Sequence, residues 1–167
     1  DFQYGYRVTD AFLGRNGATL ASLQSLANGS LPSDKAVIFV DNHDNQRAEN
    51  LYYASTFSAV PVYELALIFM LAYPQGAPSV MSSYGLDRAT AAGRDAGPPS
   101  SAAGVTQSSF DANGNSRCTT TLGSAQVGSW ICEHRRNAIA QMVTFRRVTA
   151  GAPLVGFQTV DANSNRI

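Results

Sequence analysis

The sequence predicts an α/β chain built on a parallel sheet, and three observations carry that prediction. The run AVIFV at 36–40 is continuously apolar and mostly β-branched or aromatic, with no polar alternation, as in strands covered on both faces. Helical patterns follow at 58–73 and 133–149, each punctuated by proline or glycine. A second short apolar run at 78–82 lies between them, so strand, helix, strand and helix alternate.

In chain order, residues 4–8 read as a short β-like piece. Leu20, Leu23 and Leu26 then recur every third residue ahead of Asn28-Gly29, which predicts a helix over 18–27 with a glycine stop. A polar turn at 30–35 leads into the strand at 36–40, whose C-terminal end carries Asp41, Asn42, His43 and Asp44. The helix at 58–73 has Pro61 near its first turn and Pro74 beyond its end. It is apolar nearly all round, which predicts cover on more than one side.

The stretch 84–128 is rich in Gly, Ala, Ser, Pro and Asn and far exceeds an ordinary connection. The helix at 133–149 sets Ala138, Ile139, Met142 and Val143 on one face and stops at Gly151 and Pro153. Arg135, Arg136, Arg146 and Arg147 fall on its polar positions and read as a solvated face, with a weak anion or partner patch as the sharper alternative. Residues 154–167 read as the beginning of a further strand. A complete eightfold β/α barrel needs about 250 residues, so a chain of 167 could hold only some of its units.

Composition removes several function classes. Twelve basic residues balance twelve acidic ones, so the chain lacks the electrostatic footprint of a nucleic-acid binder or a polybasic membrane anchor. With 44% hydrophobic and 14% charged residues it reads as a folded chain rather than a disordered one. The longest apolar stretch, 60–73, is interrupted by Pro61 and Glu64 and falls short of the roughly 20 residues a bilayer span needs. The text begins at Asp1 with no initiating Met or leader, from which a truncated N-terminus is expected. Cys118 and Cys132 flank a polar loop and suit a loop-closing disulfide in an oxidising compartment, two unpaired thiols being the other reading.

His43 and His134 are the two histidines, and no HxxxH or CxxC spacing occurs, so no zinc or iron site is expected. The stretches from Asp111 and Asp161 start like calcium loops but lack glycine at the sixth position, and they read as turns. No GxSxG, P-loop or GxGxxG is present. The Asp41 to Asp44 cluster has two readings. One is a polar βα turn whose side chains bond the backbone. The other is a ligand site, because in parallel α/β folds such sites lie at the carboxyl ends of strands. A carboxylate beside an imidazole can grip sugar hydroxyls with charge-assisted hydrogen bonds and stabilise a developing cation.

At these residues the sequence resembles the α-amylases of glycoside hydrolase family thirteen. Phe39-Val40-Asp41-Asn42-His43-Asp44 is similar to the family's fourth motif, which closes the seventh barrel strand, and Asn45-Gln46-Arg47 resembles the animal-type and related bacterial branch. Asp1-Phe2-Gln3-Tyr4-Gly5 resembles text of the sixth strand, Phe69-Met70-Leu71-Ala72 the seventh helix, and Val80-Met81-Ser82-Ser83-Tyr84 the eighth strand. Gly97-Pro98-Pro99 and Trp130-Ile131-Cys132-Glu133-His134-Arg135 match branch-specific text.

The resemblance implies a partial (β/α)8 TIM barrel, from the end of the sixth strand through the eighth helix, over residues 1–153, with 154–167 starting a C-terminal β-domain. It implies a retaining, endo-acting hydrolase of the α-1,4-glucosidic bonds of starch and glycogen, with Asp44 as transition-state stabiliser and His43 bonding the same sugar. The nucleophile and acid of the retaining mechanism belong to motifs upstream of Asp1, so the isolated chain is expected to be inactive. A non-catalytic α-glucan-binding homologue is the alternative. Starch, glycogen and maltooligosaccharides are the implied partners of a monomeric, extracellular parent. Calcium is implied for that parent through ligands mainly upstream, with no metal ligand here. In the chloride-dependent branch Asn42 would be one ligand, but Gly85 stands where the basic ligand belongs, so chloride binding is not expected. The resemblance also implies a Cys118–Cys132 disulfide before the last barrel helix. As part of a barrel, the chain would leave sheet edges and the apolar face of the 61–73 helix uncovered.

Overall fold

The computed structural model describes residues 1–45, 62–87, 90–119 and 126–159. Its first element corrects the reading of residues 4–8 as β-like: they lie inside helix α1 (Phe2–Leu13). The Asp1 carboxylate caps the helix, accepting the Tyr4 N–H at 3.2 Å, and Gly14 ends it with φ 64°. Tyr4, Val8 and Ala11, spaced by four and three residues, form its buried stripe. The DFQYG text is thus a cap and first helical turn rather than the end of a strand.

Gly5 sits inside that helix despite costing roughly 1 kcal/mol against alanine there. The reason is tertiary. A Cβ at Gly5 would stand 2.7 Å from the Phe39 carbonyl oxygen and 3.1 Å from that of Val40, so α1 crosses the site strand in backbone contact. Gly5→Ala is therefore expected to lower the melting temperature by several degrees, the clash outweighing the gain in helix propensity. A thermal melt followed by circular dichroism checks this, and an unchanged or raised midpoint would refute it.

The stretch expected to be a helix over 18–27 is a 3₁₀ helix, Leu20–Ser25, for which the three-residue recurrence of leucines is the natural period. Gly29, at φ 76°, turns the chain after it, and a second 3₁₀ turn, Ser33–Lys35, precedes strand β1 (Val37–Ile38). β1 pairs in parallel with β2 (Ala77–Pro78), Val37 opposite Ala77, through Ala77 N–H to Ala36 O and Ser79 N–H to Ile38 O, both 2.8 Å. Paired strand is thus shorter than 36–40 and 78–82. Nor is β1 covered on both faces: Ala36, Ile38 and Val40 are buried, while Val37 is 55% exposed.

Helix α2 (Val62–Ala72) joins the two strands, giving the βαβ unit that parallel pairing requires. The expected start of this helix at residue 58 lies outside the described residues. Tyr63, Ala66, Leu67, Met70 and Leu71 are buried, and α2 packs between α1 and the last helix, which accounts for its near-uniform apolarity. A four-residue helix α3 (Ala91–Arg94) follows, then a long connection carrying antiparallel bridges Ser100–Thr106 and Phe110–Ser116. A 3₁₀ turn, Glu133–Arg135, leads into α4 (Asn137–Val148). Ile139 is its one fully buried anchor against α2; Ala138 and Met142 are half-buried and Val143 is exposed, a narrower face than the sequence suggests.

The arginines of α4 and its approach do not all form a solvated face. Arg136 is buried, with Nη1 3.8 Å from Glu64 Oε2. Arg146 reaches across to the corner after α2, donating to the carbonyls of Tyr73, Gln75 (3.0 Å) and Gly76 (2.7 Å). Those carbonyls follow a helix end and need donors, which one guanidinium fork supplies. Arg135 lies over the Phe110 ring, 4.8 Å from its centroid. Residues 154–159 form no strand; Phe157 packs against the core while Leu154 and Val155 are exposed. Among the described residues, no helix is long and apolar enough to cross a membrane.

Candidate functional site

β1 delivers the chain into a turn that two asparagines close. Asn42 Oδ1 accepts the N–H groups of Asp44 and Asn45, both at 3.0 Å, and Asn45 Oδ1 accepts the Asn42 N–H at 2.8 Å. This is the side-chain-to-backbone bonding that the turn reading anticipates. It also leaves the two residues between the asparagines presented outward. The His43 and Asp44 side chains are 78% and 66% exposed, with Nε2 3.4 Å from Oδ1. An exposed pair of that length contributes little to stability, so both side chains are available to a ligand.

Beside them Val37, Phe39, Asp41, Asn42, His43, Ser79 and Met81 line an open depression of about 220 Å³. It therefore spans the continuations of both parallel strands, where α/β folds carry ligands.

Beneath the turn lies a buried polar layer that sequence reasoning did not assemble. Asp41, 2% exposed, accepts a 2.8 Å hydrogen bond from the Tyr63 hydroxyl at the start of α2. Burial pushes the Asp41 carboxyl up to about 7, the Tyr63 bond opposing and the Glu133 charge adding to the shift. Glu133 is itself fully buried, accepting the Ser83 N–H at 2.8 Å, and burial raises its pKa as well. Next to it His134 Nδ1 lies 3.1 Å from Ser82 Oγ. Among the described residues Asp41 Oδ2 and Glu133 Oε1 have no hydrogen-bond partner. Asp41 stood inside the quoted motif without a role; Tyr63 and Glu133 are 22 and 92 residues from it, and no local spacing announces such a meeting.

Cys118 and Cys132 form a disulfide. Gly85 is buried, its N–H donating to Ser129 O and its carbonyl accepting from Gly128, so it offers an anion no group. Asn42 spends its carbonyl oxygen on the turn, and Nδ2 alone remains for an anion. The Asp111 carboxylate accepts the N–H groups of Asn113 and Asn115 and the Asn115 amide, a self-contained turn rather than an open cation loop. The second such stretch, from Asp161, lies outside the described residues. No cluster of three or more His, Cys, Asp or Glu able to hold a metal occurs among the described residues.

No family model matches the chain. Curated relatives do. The chain is 38% identical over 175 aligned positions to a pancreatic α-amylase of Struthio camelus and 35% identical to one of Homo sapiens, in each case with all of this chain aligned. It spans about a third of the length of those relatives, 33% and 32%. Among solved structures, wild-type α-amylase I from Eisenia fetida superposes with a TM-score of 0.65 at 29% identity, covering 91% of this chain and 30% of that one. A variant of the same enzyme in complex with maltohexaose gives 0.68 at 30% identity, with the same coverage. Along its whole sequence and over most of its fold, the chain is similar to a stretch of about a third of these α-amylases.

Proposed function

We propose that this chain is the C-terminal part of the catalytic barrel of a secreted α-amylase, residues 1–153 completing the (β/α)8 barrel and 154–167 opening the C-terminal β-domain. The observation that carries the reading is the turn after β1, where His43 and Asp44 stand exposed together at the carboxyl ends of two parallel strands. Asp44 is the carboxylate that stabilises the oxocarbenium-like transition state of a retaining glucosidase, and His43 bonds the same sugar. Nucleophile and proton donor come from outside this chain, and so do the ligands of any calcium ion. The polymer acted on is starch or glycogen, with maltooligosaccharides as the shorter ligands.

In the complete protein, Asp44→Asn is expected to lower kcat on soluble starch at least about 100-fold. The 167-residue chain alone is expected to release no reducing sugar. A variant retaining kcat within about threefold would overturn the role of Asp44. A complete protein that binds maltohexaose without cleaving it would make the chain part of a glucan-binding homologue instead.

A further inference from the structure

We infer that Asp41 and Tyr63 are positioning residues of the glucan-binding turn, their buried hydrogen bond fixing the direction in which β1 presents His43 and Asp44. The inference rests on the reading of those two residues as sugar-binding. The asparagine bonds of residues 42–45 run within the turn and set its shape. Orientation needs an outside anchor, and the residue immediately before the turn supplies one, Asp41 Oδ1 meeting the Tyr63 hydroxyl of α2 at 2.8 Å.

Stability alone does not account for this pair. A buried carboxylate with one oxygen unpartnered among the described residues costs solvation that a packed apolar pair would not. What a directional bond adds is geometry. Tyr63 is anchored by a ring buried in the core beside Ala66 and Leu67 on the same helix, so its hydroxyl is a fixed point. Asp41 sits three residues before Asp44, close enough for a pivot at its side chain to swing the turn.

Tyr63→Phe removes one oxygen and keeps the ring. Amide NMR of the 167-residue chain, without and with maltohexaose, reads the result. The His43, Asp44 and Asn45 signals are expected to move or broaden while those of Leu26 and Ile139 stay in place, and the dissociation constant for maltohexaose should rise at least about fivefold. Asp41→Asn keeps the oxygen that accepts from Tyr63 and should leave residues 43–45 at their wild-type positions. In the complete protein, Tyr63→Phe should lower kcat/KM about tenfold. Wild-type signals at 43–45 in Tyr63→Phe, or changes spread evenly through the core, would overturn the inference. A wild-type chain indifferent to maltohexaose would count against the glucan reading, while the signals at 43–45 would still decide whether Tyr63 positions the turn.

Discussion

Raising the pH from about 4 to 8 is expected to destabilise this chain, with Asp41 alone contributing up to about 4 kcal/mol. Its carboxyl is held at about 7 in the fold against an ordinary 3.8, chiefly because burial excludes water from the charged form. Between those values the unfolded chain has released the proton that the native state keeps, so the native state binds more protons and stability falls as pH rises. The contribution is complete below about 3.8 and gone above about 7. Glu133, also buried and also raised, acts in the same direction.

Urea unfolding at pH 4, 6 and 8 checks the slope. Asp41→Asn cannot ionise, so it should gain on the wild type as pH increases and nearly match it at pH 4. An identical pH slope in both proteins would refute the assignment. Asp111 has the opposite sign: the Asn115 side-chain bond leads the causes that lower its pKa, so its small contribution is lost only as pH falls below the usual carboxylate range.

Opening the Cys118–Cys132 disulfide is expected to cost about 3 kcal/mol, the chain-entropy value for a loop of about 15 residues. For a chain of this size that lowers the melting temperature by roughly 6–12 °C. The loop it closes runs through Thr-, Gly- and Ser-rich text, so little in its composition restrains it in the unfolded state. Cys132 is also one of two non-glycine residues with positive φ among those described, at 56°, directly before the buried Glu133. Melts of the native chain with and without reductant, beside Cys118→Ala, measure the effect. A midpoint that moves by less than about 2 °C in both would show that the loop is held by other contacts.

How far the sequence could be read depended on the range of the forces involved. The run 36–40 and its acidic end were legible because polarity changes abruptly between Val40 and Asp41, although Asp41 is itself buried. The position of His43 and Asp44 at the strand's carboxyl end followed from the same few residues, while their assigned roles came from resemblance. α1 was misread because Gly5 lowers helix propensity for a reason that lies in the backbone of Phe39 and Val40 rather than in α1. The arginines were misread because a guanidinium on a polar helix position is indistinguishable in sequence from one that finishes another helix's corner. The polar layer beneath the turn escaped because Tyr63 and Glu133 reach Asp41 through tertiary structure alone.

That corner also bears on the order of events during synthesis. The carbonyls of Tyr73, Gln75 and Gly76 lie where the chain turns from α2 into β2, and Arg146, which donates to them, is 70 or more residues further on. A ribosome delivers β1, α2 and β2 long before that guanidinium emerges. The donors of this corner are met by residues already made, Gln75 Nε2 giving to Leu31 O and Gly76 N–H to Ser33 Oγ, while its carbonyls wait for a donor from α4.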